Sequence, residues 1–453
     1  LKACSELKND DKHLIVLPVE FYIKNAKIWN PNQILDSAVV HVVSGHLNWI
    51  KKSSDLKEQE LEQIEASEFT VDAQGQVLMP MGIDMQVHLR NPGQSHKETI
   101  DTGLRAALRG GYAAVLAMPN TNPTIDSVEV LLNSKKEVAA KSTEYGIDIW
   151  WTAAFSKSLA GKELVDFEAI HKHGVWAFTD DGVGLEDDVL MEKVFEESAR
   201  LGFLVLQHCE FRGHGASLAA GPVQEKLGLK AYPAEAEWKM IERDLKLLEK
   251  HPQARYHILH ISSAKSVELL NEAKQKGLNV TGEVTPHHLF FCSEDIVVEN
   301  TSFKMNPPLR SSEDRKVLQE ALADGTIDFV STDHAPHEES VKNIGFDSAA
   351  FGTTGMETSI RVLLKLHQDN ILSAERLVEV FSTAPARLAK KTNDFGSLKS
   401  GSEFKAMLLD TEFGPQKVQE ADLESLSKNN VFLGASLPGK ITQVFTKSGV
   451  FRF

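Results

Sequence analysis

From residue 83 onward, short apolar runs alternate with longer stretches whose apolar residues recur at helical spacing. This alternation restricts the fold of the 453-residue chain more than any other feature. The runs read as strands at about 83–87 (IDMQV), 113–117 (AAVLA), 148–153 (DIWWTA) and 174–178 (GVWAF). Four more follow at 203–207 (FLVLQ), 256–260 (YHILH), 279–284 (NVTGEV) and 327–331 (IDFVS). Segments such as "DDVLMEKVFEESARLG" and "AEWKMIERDLKLLEKH" lie between them and read as amphipathic helices. Strands alternating with helices predict an α/β fold with a parallel sheet. Eight such units in roughly 315 residues have the number and length of a (β/α)8 TIM barrel with insertions, with an open doubly wound sheet as the alternative.

Outside that region the texture changes. Residues 18–80 carry short alternating strands ("FYIKNAKIW", "AVVHVV", "HLNWIKK", "FTVDAQGQVL") around a charged, helical or looped insert at 54–66. Residues 398–453 return to this style in "SEFKAMLLD" and "GKITQVFTKSGVFRF". The expected organisation is a barrel over 81–395 and one small β side domain shared by 1–80 and 396–453.

Composition excludes several classes of function. A net charge of -15 argues against a nucleic-acid surface, which needs clustered Lys and Arg, yet leaves room for an anionic small molecule held by a few local cations. Cys4, Cys209 and Cys292 are too scattered for a disulfide framework or a zinc ribbon. No run approaches the ~18 apolar residues of a membrane span, and the charged opening "LKACSELKNDDKHL" does not read as a secretory signal. A cytoplasmic location is the expectation, with a loose, solvated terminus over 1–17. The phosphate-loop, dinucleotide and nucleophile-elbow motifs are missing from the sequence.

In a parallel barrel, chemistry collects at the C-terminal ends of the strands. Strand one ends in Gln86-Val-His88-Leu-Arg90, where a period of two puts Gln86, His88 and Arg90 on one face. Strand two ends at Met118-Pro-Asn120, strand four at Thr179-Asp180-Asp181-Gly182, and strand five at His208-Cys-Glu210. The last three end in His260-Ile-Ser262, Thr285-Pro-His287-His288 and Thr332-Asp333-His334. Each group alone has a structural reading: a hydrogen-bonded imidazole, a turn, or a helix cap. Three His and two Asp converging on one face are costly to bury unless paired or bound to metal. Imidazole with carboxylate and no thiolate suits Zn²⁺, Mn²⁺ or a related divalent ion, in one or two copies. With a further carboxylate to move protons, such a site is equipped to hydrolyse or condense an amide.

The motifs "HLRNPG", "HKETIDTG", "AMPNTNP", "FTDDGVG", "QHCE", "HISSAK", "GEVTPHHL", "KMNPPLR", "STDHAPH" and "FGTTGMET" resemble those of the bacterial class I dihydroorotases of the amidohydrolase superfamily, from about residue 20 to the end. The resemblance implies reversible cyclisation of N-carbamoyl-L-aspartate to dihydroorotate, in pyrimidine biosynthesis. It implies metal ligation by His88, His208, His260, Asp333 and a bridging Asp181, with Asp333 also the general base or acid. It assigns the substrate to His88, Arg90, Asn120, Asn306 and His337, with the backbone of Phe351 and Gly352 closing over the ring within a mobile cover at 340–355. Hydantoinases and allantoinases are similar but usually carry a carboxylated Lys at the strand-four position, where this chain has "FTDDG".

One position departs from the resemblance. The family pattern is His-x-His-x-Arg, and here the first His is Gln86. Three consequences follow as alternatives: Gln86 touches the metal and favours a harder ion, the first site stays vacant, or the chain is a non-catalytic partner of aspartate transcarbamoylase. Homodimerisation is a further expectation from the family.

Overall fold

The computed structural model describes residues 14–213 and 215–453. Cys4 and most of the 1–17 terminus therefore lie outside the described residues.

Eight parallel strands form the expected barrel: Gly82–Val87, Tyr112–Ala117, Asp148–Trp151, Ala177–Phe178, Leu204–Gln207, Arg255–Ile258, Val280–Val284 and Phe329–Val330. Strands one to three and four to eight are hydrogen-bonded in chain order. Bridges from Ala153 to Phe178 and from Val87 to His334 close the ring. In most of them inward and outward faces are both buried, which is why they read as nearly unbroken apolar runs; in strand three only Trp151 is buried.

The helices between them are capped by their own sequence. Ser127 accepts the amide of Val130 at the head of Val128–Tyr145, and Asp187 accepts that of Leu190 at the head of Asp188–Leu201. Helix Glu235–Lys250 buries Met240, Ile241, Leu245 and Leu248 on one stripe.

Several strands are shorter than the sequence suggests, and two of them end just before candidate site residues. Strand six stops at Ile258, so His260 is not a strand residue; its backbone turns into the left-handed region at φ +32°. Strand eight is only Phe329–Val330, with Asp333 at φ +48° just beyond it. Arg90, past the end of strand one, sits at φ +59°. For non-glycine residues these are strained positions of the kind found at ligand sites.

The flanking segments build one nine-stranded sheet. Its seam is the antiparallel pairing of Val77–Pro80 with Ala406–Asp410, which joins the N- and C-terminal segments. The period of two divides the seam between two cores. Met79, Met407 and Leu409 face the barrel, whereas Leu78, Ala406 and Leu408 face a second core with Phe21, Ile23, Phe404 and Phe445. The charged insert contains helix Glu58–Ala66, anchored by the buried Ile64. Residues 411–435 leave this sheet and run over the barrel, where Val418, Leu423, Val431 and Phe432 pack with Phe303 and Met305.

Candidate active site

The strand ends enclose a cavity of about 200 Å³. It is lined by His88, Arg90, Asn120, Asp181, His208, His260, Asn306, Asp333, His337, Phe351 and Gly352. Every site residue singled out from sequence borders it except Gln86, which lies beneath its floor, fully buried.

Asp181 is the hub. One carboxylate oxygen, Oδ1, lies 3.6 Å from His208 Nδ1 and 3.9 Å from His260 Nε2. The other, Oδ2, lies 3.2 Å from His88 Nε2, which is itself 3.0 Å from Asp333 Oδ1. Two groups of three donors, Asp181/His208/His260 and His88/Asp181/Asp333, thus each lie within 4.8 Å and share one carboxylate. Three N/O ligands with room for a fourth suit a catalytic zinc-like ion, and Asp181 Oδ2 is buried without a hydrogen-bond partner. The donor set fits one or two divalent cations.

Gln86 does not offer its oxygen to this set. Its amide Nε2 donates to Asp181 Oδ1 at 3.1 Å, while Oε1 is buried without a partner. The residue therefore orients the shared carboxylate in this structure.

The electrostatics follow from burial and contact. Burial would raise the Asp181 carboxyl, but the hydrogen bond with His208 and the charges of His88, His208 and His260 hold it well below the usual range. Burial would likewise lower His208; contacts with Asp181 and Glu210 prevail and push it up to about 10. His260, buried against that charged ring, falls to about 4. The 2.9 Å contact between them is then an N–H of His208 donated to neutral His260. Burial and the charge of Asp181 raise Asp333 despite its bond with His88, moving it toward the range of a general base.

The Arg90 side of the cavity is equally defined. Arg90 donates to the Pro336 carbonyl at 3.1 Å and lies 3.2 Å from His337 Nε2. His88 Nδ1 is 2.8 Å from Asn120 Oδ1, which connects the strand-two loop to the candidate metal-ligand group.

Three other strand-end residues, Asp180, His288 and His334, make structural contacts. Asp180 accepts the amides of Phe155 and Ser156 at 2.7 and 3.0 Å. His288 bridges Thr285 and the Pro307 carbonyl. His334 contacts Glu98, which also accepts the Leu426 amide and so ties the 423–430 segment to the barrel.

The sequence places Glu210 at the end of strand five without giving it a role; its carboxylate is 3.1 Å from His208 Nε2 and accepts from Asn306 at 2.7 Å. It stands in "QHCE", two residues from His208, so the signal was present. Asn429 was not recoverable in this way: it donates to the Ala335 and Gly352 carbonyls and accepts the His337 amide from a segment read as side domain.

Comparison with known proteins fits this geometry. The amidohydrolase family matches residues 77–449. A dihydroorotase of Listeria innocua is 39% identical over 423 residues, 92% of this chain and 95% of the relative. One of Bacillus cytotoxicus is 36% identical over 424 residues, 93% of this chain and 95% of the relative. Among solved structures, the L-hydantoinase (dihydropyrimidinase) of Arthrobacter aurescens superposes with a TM-score of 0.82 at 25% identity, covering 96% of each chain. The dihydropyrimidinase of Brevibacillus agri gives 0.79 at 20% identity over 95% of this chain and 94% of that one, which supports the shared fold alone.

Proposed function

The chain belongs to the amidohydrolase family, and from that premise we propose that it is a dihydroorotase, interconverting N-carbamoyl-L-aspartate and (S)-dihydroorotate in pyrimidine (UMP) synthesis. The observation that carries the reading is the single cavity in which two metal-ligand triads face an arginine and two asparagines. A ring amide and a carboxylate are what such a pair of half-sites is suited to hold.

Asp181, His208 and His260 would hold one divalent ion, and His88, Asp181 and Asp333 a second; Zn²⁺ is the proposed ion, with Mn²⁺ the next choice for the more carboxylate-rich group. Bound there, such an ion would supply Lewis acidity toward the ring carbonyl and lower the pKa of water toward neutrality. In hydrolysis, Asp333 takes a proton from the attacking water and returns one to the ring nitrogen as the C–N bond breaks. In cyclisation the order reverses, and water leaves.

Arg90 pairs with the substrate carboxylate, assisted by Asn120, Asn306 and His337; a guanidinium reads that group through charge-assisted hydrogen bonds. Phe351 and Gly352 wall the cavity and limit access of bulk water.

Gln86 favours a second reading. With its amide nitrogen on Asp181, it adds no anionic or imidazole ligand, as suits a non-catalytic partner of aspartate transcarbamoylase. A homodimer is compatible with either role. A hydantoinase activity has support in the fold, whereas the curated relatives at 36–39% identity are dihydroorotases. Assay of dihydroorotate, hydantoin and allantoin side by side tests the choice. The reading expects turnover of dihydroorotate alone and fails if only hydantoin or allantoin is cleaved.

A further inference from the structure

The cavity's outer wall is formed by two loops, one carrying Asn306 and the other His337, Phe351 and Gly352. Backbone strain and packing leave this wall little freedom at Gly352, where φ is +125° and an added Cβ would lie 2.8 Å from that of Ala335. Something must still hold the two loops together, because both are irregular backbone.

Lys342 does so from an unusual position. It closes the short helix Glu339–Lys342, is 2% exposed, and has no carboxylate partner among the described residues. Its ammonium instead donates to three carbonyls: Lys304 at 3.2 Å, Ala350 at 2.9 Å and Gly352 at 3.0 Å. Three donors meet three acceptors drawn from both loops. The Gly352 amide donates back to the Lys304 carbonyl at 2.9 Å. Lys304, also buried, reaches the Asp347 carbonyl at 2.7 Å and lies over the Phe351 ring at 4.5 Å. A buried ammonium without a counter-ion is expensive, and packing alone would be served by Met or Leu.

We propose that Lys342 is a positioning residue for substrate binding, clasping the loop of Asn306 to the loop of Phe351 and Gly352 so that the cavity wall is already shaped when the substrate enters. The inference rests on the dihydroorotase reading. Preorganisation of this kind acts on binding of ground and transition states alike, so its loss appears in KM more than in kcat.

The test is steady-state hydrolysis of dihydroorotate by metal-reconstituted wild type, Lys342→Met and Asn429→Ala, with thermal melts of each. Asn429 ties Gly352 and Ala335 from the opposite side, and it covers the case in which Lys342→Met does not fold. The expectation is a rise in KM of about tenfold or more, with kcat within about threefold of wild type, in each folded variant. Unchanged KM in a folded variant, or kcat and KM both degraded in proportion to lost stability, overturns the proposal while leaving the wild-type activity standing. Absence of wild-type turnover would remove the dihydroorotase reading and this inference with it.

Discussion

At the scale of single residues, the account turns on what Asp333, Gln86 and His208 do with protons and metal. Asp333→Ala is expected to reduce turnover about a thousandfold or more with an unchanged circular dichroism spectrum, because it removes both the proposed ligand and the proposed proton carrier; wild-type-like kcat in that variant contradicts the mechanism. Gln86→His adds a fourth imidazole beside Asp181, next to His88, His208 and His260, and should raise the metal retained after dialysis, read by elemental analysis. The sign of the pH effect on metal binding also follows. His208 is raised to about 10, so at neutral pH it carries a proton that a cation must displace. Affinity should therefore climb as pH rises toward 10, with about one proton released from this ring per ion bound near pH 7. Calorimetry in buffers of different ionisation enthalpy measures that release; a proton count near zero would mean the ring is already neutral. The strand-end residues were legible in sequence because a parallel barrel fixes where they must point. The direction of the Gln86 amide was not, since it depends on whether Asp181 accepts a hydrogen bond there.

At the scale of elements, eight alternating units were readable because strands buried on both faces are apolar throughout and helices are apolar on one stripe. Strand ends were less so. His260 completes an apolar run in "YHILH" and looks like strand, but its left-handed backbone is fixed by tertiary contacts rather than by local preference. The 411–435 segment fell inside the side domain because the β-like motifs "SEFKAMLLD" and "GKITQVFTKSGVFRF" flank it, while its own apolar partners, Phe303 and Met305, lie on the barrel. Glu98 shows what the segment contributes. It is 1% exposed, accepts the Leu426 amide at 2.8 Å and contacts Ser425 and His334. Glu98→Ala removes the acceptor of the buried Ser425 hydroxyl and the contact of the buried His334 ring and should cost about 3 kcal/mol in urea unfolding; a loss below about 0.5 kcal/mol would show that the tie does not hold the segment.

At the scale of the whole molecule, the side sheet and the barrel share one wall of side chains. Met407 and Leu409 bury into the barrel while Leu408 buries away from it. Sequence placed both flanks in β structure, but their mutual pairing is a long-range event that periodicity does not encode. The same architecture brings a strained Arg90, His260 and Asp333 to one rim, which is where a barrel puts its chemistry. The central claim is that this rim is a working, metal-dependent dihydroorotase despite Gln86. Its most direct test is steady-state hydrolysis of dihydroorotate by the purified protein with excess Zn²⁺ or Mn²⁺, before and after chelation. The account predicts turnover that disappears with the chelator and returns when metal is restored. No turnover with either ion in a folded, metal-loaded sample would contradict it.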